Sequence, residues 1–145
     1  NYINAVAVAE STGIQIEETY SHKRVDYANL ISTTVRFNDS SLSIRGSLFG
    51  ESLHRIIYFD GFHLDLSPEG TVLLIYNRDI PGVVGKVGTL LGDMNVNISG
   101  YQLGRKEESD IAIGLIRLDS DPSPEVIEKI SDLEEVISAT VISLD

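Results

Sequence analysis

Residues 71–92 read TVLLIYNRDIPGVVGKVGTLLG, and their rhythm changes once, in the middle. Thr71 to Tyr76 is an unbroken apolar run, the pattern of a strand buried on both faces or placed centrally in a sheet. A short polar loop follows. Pro81 then opens a helix, where its missing N–H costs nothing. Val83, Val84, Val87, Leu90, Leu91 and Met94 recur at helical spacing and make one apolar stripe.

Downstream, the alternation predicts a strand over Val96–Leu103 with Val96 and Ile98 inward, a polar turn over Arg105–Asp110 and a strand over Ile111–Leu118. Ser123 caps a second helix with Pro124 at its first position, and Val126, Ile127, Ile130 and Leu133 form its buried face. Val136–Leu144 closes the set. The order strand–helix–strand–strand–helix–strand is the ferredoxin-like βαββαβ arrangement, four antiparallel strands with two helices on one face. The other face is expected to carry Ile116, Leu118, Ile137, Ala139 and Val141, an apolar surface that a second copy of the chain would cover.

Upstream, the chain is rich in strands. Asn4–Glu10 ends a helix stopped near Gly13. Strands are predicted over Ile14–Tyr20, Leu30–Phe37, Leu42–Phe49, Leu53–Phe59 and Phe62–Leu66. Turns fall at Asn38–Ser41, at Gly50–Ser52 and at the hairpin pair Asp60-Gly61. Ser67-Pro-Glu-Gly70 punctuates the chain. The predicted class is therefore α+β: an antiparallel strand-rich segment over 1–68 and a ferredoxin-like unit over 69–145.

The chain has 145 residues, 22 acidic against 11 basic, and a formal charge of −11. Such a balance disfavours nucleic acid and anionic lipid as partners. No cysteine is present, which excludes thiolate nucleophiles, iron–sulfur clusters and Cys-ligated zinc. His22, His54 and His63 lack metal-ligand spacing, so neither a metal site nor a catalytic residue is assigned. No apolar run is long enough to span a membrane, and a cytoplasmic location is the default. The first stretch reads as the end of a helix, so a piece of a longer polypeptide is expected. Glu107-Glu108 and Glu134-Glu135 read as solvated surface.

The loop carries the chemistry. Free N–H groups at a helix start attract a carboxylate or phosphate, and Asp79 just before it can hold an ammonium group. Together they suit a zwitterion. Gly85, Gly88 and Gly92 fall on one helix side, each costing roughly 1 kcal/mol relative to Ala, which points to close approach of a backbone or a ligand. Gly82, Gly85 and Gly88 lack the spacing of a dinucleotide site, and Lys86 is not in a Gly-Lys-Ser/Thr sequence, so both nucleotide motifs are rejected.

Residues 71–145 resemble an ACT domain, a small-molecule sensor of amino-acid metabolism. The resemblance is carried by residues 73–92, by Val96-Asn-Ile98 and by Gln102-Leu-Gly-Arg-Lys106. It is closest to the ACT domain that ends long-form D-3-phosphoglycerate dehydrogenases. Gly46–Gly50 and Arg55–Asp65 resemble that family's intervening domain. The resemblance implies feedback control through L-serine bound between two paired domains. Asp79 takes the family's loop acid and Asn97, from the partner copy, its asparagine; Asn77, Ile80, Pro81, Gly82 and Val83 complete the pocket. It further implies a homodimer or higher homo-oligomer and a catalytic, NAD-dependent portion outside this chain, which by itself would hold no cofactor and transfer no hydride. Arg55, His63 and Arg117 fall on the basic positions of an anion site in some relatives, although Ser67 departs from that pattern. Two alternatives stand beside this one: the regulatory portion of an iron–sulfur L-serine dehydratase, and a structural dimerisation module without a ligand.

Overall fold

The computed structural model describes residues 4–22 and 27–144. Within them the chain is α+β, built on two antiparallel sheets. Helix α1 (Ala5–Ser11) comes first and gives way at Thr12, with Gly13 at φ 82°. The first sheet is a meander in which β1 (Ile31–Phe37), β2 (Ser40–Phe49), β3 (Leu53–Phe59) and β4 (Phe62–Leu66) lie side by side in chain order. Asp60 and Gly61 turn β3 into β4 at φ 47° and 90°, values that Asp tolerates and glycine adopts freely. The turn before β2 is shorter than its polar run suggested, because Ser40 and Ser41 already pair with Phe37 and Arg36.

Ile14–Tyr20 does not form the expected strand. Alternation supplies one apolar side but no partner ladder, and Ile14, Ile16 and Tyr20 stay exposed.

The second sheet has the order β6 (Ile98–Arg105), β7 (Ile111–Leu118), β5 (Gly70–Arg78), β8 (Val136–Leu144). Helices α2 (Val83–Asp93) and α3 (Pro124–Ser131) complete the ferredoxin-like unit. Strand β5 is central, as its unbroken apolar run requires: Val72, Leu73, Leu74 and Ile75 are all buried. Leu73, Ile75, Ile116 and Leu118 pack with Val83, Val87 and Leu91 of α2 and with Val126 and Ile130 of α3.

Several expectations need correction here. Pro81 precedes the helix instead of opening it; Gly82, at φ 97°, is the residue that caps α2. Val84 lies off the buried stripe and is exposed, since the core accepts the i, i+4, i+8 row of Val83, Val87 and Leu91. Ser123 occupies the cap position of α3, but its side chain makes no capping bond. Ile116, Leu118, Ala139 and Val141 face the helices and not the other side.

That other side carries Val72, Leu74, Ile113 and Leu115, and the meander covers it. Phe62 and Leu66, with the half-buried Ile56, Phe59 and Leu64, complete a second core there. Ile57 has no cross-strand partner in either ladder of β3. This irregularity lets Ile56 and Phe59, three residues apart, face the same way. Phe62 is 2% exposed. Its ring meets Tyr76 edge-on at 6.2 Å, and the Lys106 ammonium lies 4.3 Å from its centroid. Gly104 makes room for it, because a Cβ there would sit 2.9 Å from Ile113 Cγ1 and 3.1 Å from Phe62 Cβ. The open apolar surface lies elsewhere, on the outer edge of the meander, where every residue of β1 is exposed and Ile31 is 75% exposed. Among the described residues no helix is long and apolar enough to cross a membrane.

Truncating the ring at the centre of the second core tests this packing. Phe62→Ala is expected to lower unfolding free energy by about 3–5 kcal/mol, read by denaturant titration. A loss below about 1 kcal/mol would show that the two sheets do not share a core.

Candidate functional site

The polar loop starts later than its composition suggested. Asn77 and Arg78 are the last residues of β5, and Asn77 is a 4% exposed strand residue paired with Ala112 and Val136. Its Nδ2 donates to the Arg78 carbonyl at 2.7 Å. The backbone beyond it is pinned on both sides. The Arg78 N–H donates to the Glu135 carbonyl and the Asp79 N–H to the Asp110 carbonyl, each at 2.8 Å, and the Ile80 N–H turns back to the Arg78 carbonyl at 2.9 Å. Asp79 is thus held at the exit of a central strand, directly before a helix start.

Gly82 caps α2 without any side-chain bond. The first helical bond runs from the Lys86 N–H to the Gly82 carbonyl at 3.0 Å. The amides of residues 83–85 therefore have no acceptor within the helix, the usual state of a helix N-terminus. A Cβ added at Gly82, Gly85, Gly88 or Gly92 would meet nothing within 4 Å among the described residues, so the glycine side borders open space. A shallow groove runs there, with Gly82, Gly85 and Thr89 on one wall and Lys129 and Leu133 on the other. Lys86 forms an ion pair with Glu135, so Glu135 is not the plain solvated residue its acidic run suggested. The hydrogen bond from Lys86 holds the Glu135 carboxyl below the usual carboxylate range.

The Asp79 carboxylate has a partner that sequence reasoning missed. Arg105 Nε and Nη2 both lie 2.6 Å from Asp79 Oδ2. Asp79 and Arg105 lie 26 residues apart, so only the pairing of β5 and β6 with β7 reveals the contact. The β7 ladders carry its signal: Arg78 pairs with Ile111 and Arg105 with Ala112, putting both strand ends at the same end of the sheet.

Asn97 sits just before β6 and is exposed. Its side-chain amide donates to the Asp119 carboxylate, and its carbonyl accepts from the Asp119 N–H at 3.2 Å. Ile98 pairs with Leu118, at the opposite end of β7 from Ile111. Seven strand steps separate those ends, roughly 23 Å at the usual rise. Asp79 and Asn97 of one chain are therefore not brought together.

Arg55, His63 and Arg117 are not gathered either. Arg55 and His63 lie on the meander face away from the second sheet, because their neighbours Ile56, Phe62 and Leu64 point into the shared core. Arg55 Nε pairs with Asp65 Oδ1 at 2.5 Å, which keeps the Asp65 carboxyl below its ordinary value. His63 stands edge-on to Tyr58 at 5.5 Å. Arg117 lies on the second sheet, on the face of Ile113 and Leu115, so the meander separates it from the other two. Its Nε is buried without a hydrogen-bond partner.

Comparison with known proteins covers both sheets. Residues 71–135 match the ACT domain and residues 1–60 the D-3-phosphoglycerate dehydrogenase intervening domain. Curated proteins named D-3-phosphoglycerate dehydrogenase are similar along 99% of the chain: 34% identical in Archaeoglobus fulgidus, 31% in Bacillus subtilis and 33% in Methanocaldococcus jannaschii. The chain spans 27–28% of the length of these relatives.

Tyr76, adjacent to Asn77, gives the region a measurable titration. Burial first, and then the Asp60 carboxylate that accepts its O–H at 3.3 Å, pushes the phenol up to about 12. In the unfolded chain the phenol ionises near 10. Its contribution is therefore complete below about pH 10 and is lost as pH rises from there through about 12. Tyr101, also raised by burial, acts in the same direction. Denaturant midpoints followed across this window should fall less steeply in Tyr76→Phe than in the unsubstituted chain; equal slopes would show that Tyr76 is not protected.

Proposed function

Residues 71–135 match the ACT domain and residues 1–60 the D-3-phosphoglycerate dehydrogenase intervening domain, and on that premise we propose that the chain senses L-serine at a site shared by two copies of itself. The reading that follows is feedback control of a D-3-phosphoglycerate dehydrogenase. The observation that carries it is the placement of Asp79. Asp79, whose backbone is held by the Asp110 carbonyl, precedes by a few residues the helix-start amides that have no acceptor within α2. An α-amino acid presents the complementary pair, an ammonium for Asp79 and a carboxylate for the amides of residues 83–85. Ile80, Pro81, Gly82 and Val83 form the backbone rim, while the buried Asn77 shapes the strand end from beneath.

A side-chain amide both donates and accepts, which suits the hydroxyl of serine. Asn97 lies too far from Asp79 in one chain to serve, so a second copy has to supply it, and dimerisation becomes part of the ligand site. Control then requires that serine bind one relative arrangement of the two copies better than another. The curated relatives favour a dehydrogenase over an iron–sulfur dehydratase as the parent. NAD chemistry would belong to the remaining portion of that enzyme, since the glycines here lack dinucleotide-site spacing. Arg55 and His63 share the outer face of the meander while Arg117 lies on the second sheet behind it, so the three do not line one pocket within a single chain. A cytoplasmic location accords with this metabolic role.

Two measurements test the reading. Titration calorimetry of the dimer should show heat with millimolar L-serine, and Asp79→Asn should weaken binding about tenfold or more, as loss of a charge-assisted contact does. Asp79→Asn and Asn97→Ala should each bind serine more weakly as homodimers, while their mixed dimer regains one site of full affinity. No heat with the unsubstituted chain removes serine sensing; no recovery in the mixed dimer removes the shared site.

A further inference from the structure

Arg105 gives the Asp79 site a second property. Its guanidinium occupies the carboxylate with two nitrogens on the same oxygen. Asp79 is 19% exposed at its side chain and backed by fixed main-chain bonds, whereas Arg105 is 65% exposed. Of the two partners, therefore, only the guanidinium can leave without disturbing packing. The geometry points to Arg105 as a built-in occupant of the ammonium subsite, one that an amino-acid effector must displace. This inference rests on the zwitterion reading of the site proposed above.

The physical consequence is selectivity. Exchanging one cation for another on Asp79 offsets part of what the ammonium gains there, so a simple amine gains less than its charge alone would give. More of the net binding then rests on the ligand's other groups, its carboxylate at the start of α2 and its hydroxyl. The occupant also keeps the Asp79 carboxylate charge-balanced while the site is empty of effector. It sets a threshold concentration without contributing any contact to the bound ligand. Exposed ion pairs are weak, so the threshold is modest.

Calorimetry on the 145-residue chain, with Arg105→Gln and Arg105→Met, tests this with two ligands. L-serine should bind both variants about two- to fivefold more tightly than the unsubstituted chain, the range set by the strength of an exposed ion pair. 3-Hydroxypropionate, which is serine without its ammonium group, should show no such gain. Tighter serine binding with unchanged 3-hydroxypropionate binding supports displacement. Equal or weaker serine binding in variants whose thermal midpoints match the unsubstituted chain overturns it, and leaves serine sensing intact. An equal gain for both ligands also overturns it, because Arg105 would then act without reference to the ammonium. Should neither the variants nor the unsubstituted chain bind serine, the sensing reading falls and displacement falls with it.

Discussion

Strand β5 is buried on both faces, and the rest of the structure is arranged around that fact. Leu73 and Ile75 point into the helices, while Val72 and Leu74 point into the meander. A strand covered on one side only would leave two or three large aliphatic side chains in water, at roughly 1.5–3 kcal/mol each. Two covers are needed, and the chain supplies both: α2 and α3 on one side, β3 and β4 on the other. Phe62 sits at the seam, with Gly104 kept small to admit it and Tyr76 and Lys106 closing around its ring.

The site inherits its rigidity from this arrangement. Asp79 leaves the most constrained strand in the molecule and is fixed by a backbone bond to Asp110, while Arg78 is fixed to Glu135. What can move lies outside: the long side chain of Arg105, and the exposed glycine side of α2. Arg105 and Lys106 are consecutive. One touches the candidate effector site through Asp79, and the other touches the meander through Phe62. The Asp79 loop and the shared core are thus both touched by this dipeptide at the end of β6.

Much of the architecture was legible in the sequence. The apolar run of Thr71–Tyr76, the stripe of Val83, Val87 and Leu91, the Asp60-Gly61 hairpin and the closing strand all appear where periodicity and turn chemistry placed them. The departures have separate physical causes. Ile14–Tyr20 has strand alternation without a partner, and β-structure requires one. Ile116 and Leu118 face the helices, against expectation, because alternation defines two faces without saying which one the helices cover. Val84 fits a helical stripe on paper, but the core accepts a narrower row. Pro81 stands two places ahead of the first helical residue, because Gly82 can take the positive φ at the cap that Pro cannot.

Local rules in the amino-acid order, chiefly hydrophobic period and turn propensity, are enough to determine the α+β class and the order of elements from β1 onward, and the chemistry of a carboxylate beside a helix start singles out Asp79 as a candidate. Only the tertiary structure decided which sheet face meets which cover, that Arg105 holds Asp79, and that Asn97 lies at the far end of the sheet from it. Those are relations between segments distant in the chain. They depend on strand order and register, which hydrophobic pattern constrains and only the completed packing fixes.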